Sequence, residues 1–222
     1  MKPLFNIADK ICFVNDPWPQ HKYNKLYTVD YLSNMVGGRK MLYFNQSTYF
    51  LKKMVAASIK DGDAVWFGCD VGKHFIGKLV HSDKNVYDHE LMFGVSLKTM
   101  NKAERLAFSE SLMTHSMTFT AVSEKDDQHG VFVKLRVDNS WGGDHGHKGY
   151  LCMTHEWSSE YVYEVVVDRK HVPEEVLAVL EQEPIALLAW APWGLWLSEW
   201  HCFQLFPPPM GSDIAAKDRF RD

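Results

Sequence analysis

Apolar residues recur at helical spacing early in the chain. Leu51, Met54, Val55, Ser58 and Ile59 fall on one stripe, with Lys52, Lys53 and Lys60 off it. Ser47 can accept from the first free backbone N–H groups, and Asp61-Gly62 supplies a stop, so a helix with one buried face is expected between them. Asn101 and Glu104 have the spacing of a capping box, which predicts a second helix through Leu106, Phe108 and Leu112. Pro173 can open a third in its first turn, with Val176, Leu177 and Leu180 as its buried stripe.

Elsewhere the period is that of strands. Ala64 to Gly68 is a short apolar run, read as a buried strand. After His115, Met117 to Val122 alternates, Glu124 to Gly130 is an exposed turn, and Val131 to Val137 returns as the partner strand. A glycine-rich loop from Gly142 to Gly149 leads to Tyr150 to Met153, and Tyr161 to Val167 is a further strand. The first forty-odd residues read as mixed loop and strand, broken at Asn15-Asp16-Pro17-Trp18-Pro19 and Val36-Gly37-Gly38. Lys73 to Tyr87 is polar and glycine-broken, and reads as a long loop. The pattern is α+β: a helical first part feeding an antiparallel sheet, with no internal repeat and no linker.

Composition narrows the function classes. A hydrophobic fraction of 46% over 222 residues suffices for one ordinary core. The net charge of −4, with no Lys/Arg-rich run, gives no reason to expect nucleic acid or an anionic membrane as partner. Cys12, Cys69, Cys152 and Cys202 show no CxxC spacing, which fits a reducing compartment better than a disulfide-stapled fold. The first ten residues lack the apolar core of a signal peptide. The most apolar stretch, Ile185 to Ser198, is interrupted by Pro192 and Gly194 and falls short of the roughly 20 residues of a spanning helix. A soluble protein is expected.

The chemistry concentrates in two segments, Met113-Thr114-His115-Ser116-Met117 and Asp138-Asn139-Ser140-Trp141-Gly142. A histidine at the start of one strand and an asparagine at the end of its hairpin partner face each other. That sets an imidazole against a carboxamide, as a Cys-His-Asn peptidase requires. One ring nitrogen takes the thiol proton and generates the thiolate. The other donates to the neutral Asn139 oxygen, which fixes ring orientation and tautomer without overstabilising the imidazolium. Trp141 is placed to exclude water from that bond.

Asn139-Ser140-Trp141-Gly142, with Gly146, Gly149 and Tyr150 beyond, resembles the asparagine block of papain-like cysteine peptidases. His145-Gly146 stands where most of them carry a second Trp-Gly pair. Leu112 to His115, Phe67 to Lys73 and Tyr161 to Asp168 extend the resemblance over about Met1 to Trp190. It implies the carboxy-terminal part of a papain-like domain at 1–190, incomplete, followed by a divergent apolar tail at 191–222. It also implies catalytic His115 as general base then acid, Asn139 as its orienter, Trp141 in support, and no cofactor or metal. The implied protein is a cytoplasmic homohexamer, an aminopeptidase of broad specificity that also hydrolyses the amide of bleomycin and a homocysteine thiolactone.

The nucleophile of such enzymes lies far upstream of the histidine in a Cys-Trp block, and this sequence has no Cys-Trp pair. Cys69 keeps the family order with His115 and Asn139, but Asp70 beside it would raise its pKa. A rival reading is therefore a non-catalytic module that joins full-length subunits. A metal site from Asp144, His145, His147, Cys152 and His155 is a further alternative, although the spacings match no zinc pattern. In the tail, Leu188 and Ala191 replace the family's proline and aspartate, and Trp190, Trp193, Trp196 and Trp200 follow in close order. Such a tail is expected to leave apolar surface exposed and to favour association.

Overall fold

Short runs of alternating or fully apolar residues pair here into one large sheet, because each strand alone leaves its backbone groups unsatisfied. The computed structural model describes residues 9–32, 40–76, 81–96, 99–123 and 133–189. Its elements are β1 (Lys10–Val14), β2 (Lys25–Val29), β3 (Tyr43–Asn45), α1 (Thr48–Lys60), β4 (Val65–Cys69), β5 (Phe75–Ile76), β6 (His81–Ser82), α2 (His89–Phe93), α3 (Lys102–Ala107), β7 (His115–Val122), β8 (Lys134–Asp138), β9 (Tyr150–Thr154), α4 (His155–Tyr161), β10 (Val162–Asp168), α5 (Glu174–Leu177) and β11 (Ile185–Leu187). The eleven described strands run in the order β11-β2-β3-β1-β10-β4-β7-β8-β9-β6-β5. The pairs β1–β3, β2–β11 and β6–β9 are parallel, and the central ladder from β1 through β9 is antiparallel. The fold is thus α+β, with the sheet that carries His115 and Asn139 at its centre.

α1 begins where the sequence indicates. Ser47 accepts from the Phe50 N–H at 3.3 Å, and Leu51, Met54, Val55 and Ser58 are buried. That face lies on β10, β7 and β4. Beneath it Phe13, Phe67, Phe119, Leu135, Val137 and Val165 form one continuous core, in which the Phe67 and Phe119 rings stack at 3.6 Å. Val14, Tyr27, Val29, Tyr43, Met113 and Tyr163 make a second cluster.

Several expectations are corrected. The sheet is not confined to the second part, since β1 to β4 all precede residue 70. The 73–87 segment contains β5 and β6. α3 has its full capping box, but it stops at Ala107. The N–H groups of Glu110 and Ser111 turn back to the Arg105 carbonyl, and the Leu112 N–H goes to Asp70, so Phe108 is 72% exposed and Leu112 is not helical. Pro173 stands at the N-cap of α5 rather than in its first turn, and Val176, Leu177 and Leu180 only partly reach the core. The 124–130 turn, the start of its returning strand, and the tail from Trp190 lie outside the described residues. Among the described residues no helix is long and apolar enough to cross a membrane.

Candidate active site

His115 is the first residue of β7, and Asn139 follows the last residue of β8. The antiparallel register pairs Thr118 with Asp138, so the N-terminus of one strand and the C-terminus of the other share an end of the sheet. There His115 Nε2 lies 2.9 Å from Asn139 Oδ1. A carboxamide oxygen can only accept, so Nε2 carries the proton and donates. In the neutral ring Nδ1 is then the basic nitrogen, the atom a thiol proton would reach.

Trp141 lies over this bond. Its ring stacks on the imidazole at 5.0 Å between centroids, with 28° between planes. Phe75 and His145 meet its edges at 5.9 and 6.3 Å. The indole is still 38% exposed, so it caps the pair from the solvent side. Burial lowers the His115 pKa from its ordinary value, and the Asn139 bond opposes that shift. The imidazole is therefore neutral at neutral pH and ready to accept a proton. The Asn139 backbone N–H donates to the Gly149 carbonyl at 3.3 Å, which ties the asparagine to the glycine-rich loop. Gly142 and Gly149 both have positive φ, 93° and 87°, a region that suits glycine.

The segment entering β7 is held by a residue that spacing does not reveal as important. Asp70, directly after β4, is buried and accepts from Ser111 Oγ at 2.8 Å, from the Leu112 N–H at 3.2 Å and from Thr114 Oγ1 at 3.4 Å. The Thr114 N–H donates to the Cys69 carbonyl at 2.9 Å. Burial raises the Asp70 pKa, and its hydrogen bonds oppose the rise. Met113 also presses on β4: a Cβ at Gly68 would run into Met113 Sδ. The 41-residue separation of Asp70 and Ser111 hides this clamp from any local pattern.

Cys69 pairs with His115 across the β4–β7 ladder, but its side chain is fully buried. Burial first and Asp70 second push its thiol pKa well above the ordinary value, the reverse of what a nucleophile needs. Cys12 Sγ donates to Glu164 Oε1 at 2.7 Å, and burial with that neighbouring carboxyl raises its pKa too. Asp144, His145, His147, Cys152 and His155 are not brought to common ligand distance. Among the described residues the one such group is Asp61, Asp63 and His171, where the Lys170 ammonium already bridges the two carboxylates at 2.7 and 2.8 Å.

Comparison with known proteins identifies the family and the fold. Residues 1–194 match the model of the Peptidase C1-like family. The chain is 84% identical over 194 residues to "Bleomycin hydrolase" of Rattus norvegicus, which covers 87% of this chain and 43% of that protein. It is 39% identical over 189 residues to "Aminopeptidase C" of Lactococcus lactis subsp. lactis, covering 85% and 43%. The crystal structure of PepW from Lactobacillus rhamnosis superimposes with a TM-score of 0.80 at 38% identity, over 85% of this chain and 42% of that one. The chain thus spans less than half the length of the relatives it matches.

Proposed function

The chain belongs to the Peptidase C1-like family, and from that premise we propose that it supplies the histidine and asparagine of a cysteine-type aminopeptidase site whose nucleophilic thiol comes from residues outside these 222. The observation that carries the reading is the 2.9 Å bond from His115 Nε2 to Asn139 Oδ1 under the stacked Trp141 ring. His115 Nδ1 takes the proton of the incoming thiol, and the thiolate attacks the scissile carbonyl. The imidazolium then protonates the leaving amine, and a water activated by the same nitrogen releases the acyl group. Asn139 holds the ring through each step. Peptide and amide bonds are the substrate class, with the carboxamide of bleomycin suggested by the names of the relatives and a homocysteine thiolactone as a further candidate. The proposed setting is a cytoplasmic homo-oligomer, a hexamer by family resemblance, working without a cofactor.

A second reading is supported by the absence of a Cys-Trp pair within these 222 residues and by the burial that raises the pKa of the Cys12 and Cys69 thiols. In it the chain is a non-catalytic subunit that joins full-length copies. Both readings expect the purified chain to be inactive. Incubation with an aminoacyl fluorogenic amide and an epoxide thiol inhibitor tests this. Turnover with covalent labelling at Cys69 would refute it. Adding family-length enzyme separates the two readings: the first expects no effect on existing active sites, the second a change in turnover that follows chain concentration.

A further inference from the structure

Trp141 has little in its own loop to hold it. It follows Asn139 by two residues in a segment that carries Gly142, Gly143, Gly146 and Gly149, and its ring is partly open to solvent. Yet the stack on His115 requires the indole to stay in one place. Among the described residues its ring contacts are with His115, His145 and Phe75. His115 is the ring it covers, and His145 is an exposed residue of the same loop. Phe75 is the contact that comes from another element, β5, and it meets the indole edge-on at 5.9 Å with 64° between planes. Aromatic pairs favour that arrangement.

Phe75 is itself well seated. Its side chain packs against the main core cluster. β5 pairs with β6 at Phe75–Ser82, β6 runs beside β9, and β9 beside β8, whose last residue precedes Asn139. The phenylalanine and the asparagine are therefore fixed by one run of ladders. The residue before it, His74, has a φ of 47°, a region that side chains with a Cβ enter at a cost. Its neighbours hold it there. The buried Trp157 donates its Nε1–H to the Lys73 carbonyl at 2.7 Å, and the His74 ring lies on Tyr161 at 5.8 Å between centroids. Tyr87 Oη donates to the Phe75 carbonyl at 3.3 Å. The turn at His74 thus brings the next ring to Trp141 from a fixed support.

We infer that Phe75 is a positioning residue of the site: the edge contact of its ring keeps Trp141 stacked over the His115–Asn139 bond. Without that ring the indole is free to tilt, and water reaches an imidazole that burial now shields. The consequence for turnover rests on the catalytic reading above; the contact and its effect on the imidazole do not.

Nitrogen-15 NMR of His115 in the purified 222-residue chain tests it, on Phe75→Leu, Phe75→Tyr, Trp141→Ala and the Phe75→Leu/Trp141→Ala double variant. Leucine keeps the apolar contact with the core and removes the ring. It is expected to raise the His115 pKa toward 6.5, in the same direction as Trp141→Ala and by less. Tyrosine keeps the ring and should hold the parent value. The double variant should match Trp141→Ala alone, because residues that act through one another do not add. An unmoved His115 in Phe75→Leu, an equal shift in Phe75→Tyr, or shifts that sum in the double variant would each overturn the inference. Should Phe75→Leu melt early, Phe75→Met replaces it under the same criteria. In a family-length enzyme Phe75→Leu should lower kcat by up to about tenfold with KM unchanged, the most that one aromatic pair can hold in place. Turnover lost there while His115 titrates as in the parent would overturn the positioning role. A shifted His115 together with turnover that survives His115→Ala would support the contact and remove the catalytic reading instead.

Discussion

Removing the Asn139 oxygen should lower the His115 pKa further, although burial alone already lowers it. The bond at 2.9 Å favours the imidazolium more than the neutral ring. A hydrogen bond from a charged donor is worth roughly 1.5–3 kcal/mol and one from a neutral donor roughly 0.5–1.5, a difference of about 1 kcal/mol. Asn139→Ala should therefore move the pKa further down, because the neutral ring loses less than the imidazolium does. Trp141→Ala should move it the other way, toward 6.5, because it readmits water to a ring whose depression comes from desolvation. Nitrogen-15 NMR of the imidazole in the purified chain reads both shifts and also the tautomer, which should be Nε2–H. The depressed value has a stability consequence. The unfolded chain takes up the proton first, so this contribution is complete above about pH 6.5 and is lost as pH falls through the folded pKa. An Asn139→Ala variant whose His115 pKa rises or stays put, or a ring protonated at Nδ1, would refute the assigned geometry.

In a family-length enzyme containing these residues, His115→Ala should abolish turnover of an aminoacyl amide. There Asn139→Ala should cost roughly a hundredfold or more in kcat, since only ring orientation is lost. Asp70→Ala strands the Ser111, Leu112 and Thr114 donors in a buried setting and should cost about 2–3 kcal/mol in urea unfolding, with a loss under 0.5 arguing against the clamp. Burial pushes the Glu164 carboxyl up to about 7 from 4.5, opposed by the Cys12 bond. Stability from this group is therefore full below about pH 4.5 and lost as pH rises to about 7, a change on the order of 3 kcal/mol that Glu164→Gln should remove from melting curves.

The residues that were legible in the sequence are those whose partners lie close in the chain. Ser47 and the Leu51-Met54-Val55-Ser58 stripe marked α1, because cap and buried face repeat within four residues. His115 and Asn139 were readable because they end two adjacent strands of one hairpin. α4 was missed. Its cap, Thr154, is the last residue of a strand, and its buried Trp157, Ser158 and Tyr161 sit in a segment too short to show a period. The end of α3 was misplaced because long-range bonds decide it: Asp70 takes the Leu112 N–H that a longer helix would have used. The three parallel pairs join segments that no hairpin connects, so local pattern carried no trace of them.

The same division explains why the histidine and asparagine can stand in place without a thiolate beside the imidazole. Nothing in their geometry depends on a negative partner. Asn139 is anchored by the β8 register and by its bond to Gly149; His115 is anchored by the β7 register and by the Thr114–Cys69 and Asp70 ties just upstream. Each anchor is a backbone or buried carboxyl bond, made on folding and indifferent to what later meets Nδ1. A pair assembled only by an incoming thiolate would have to order its side chains at that moment and would lose part of the attraction to entropy. Here the cost is met by the fold. In the proposed reaction the incoming thiol would meet a base already oriented, neutral and stacked against Trp141.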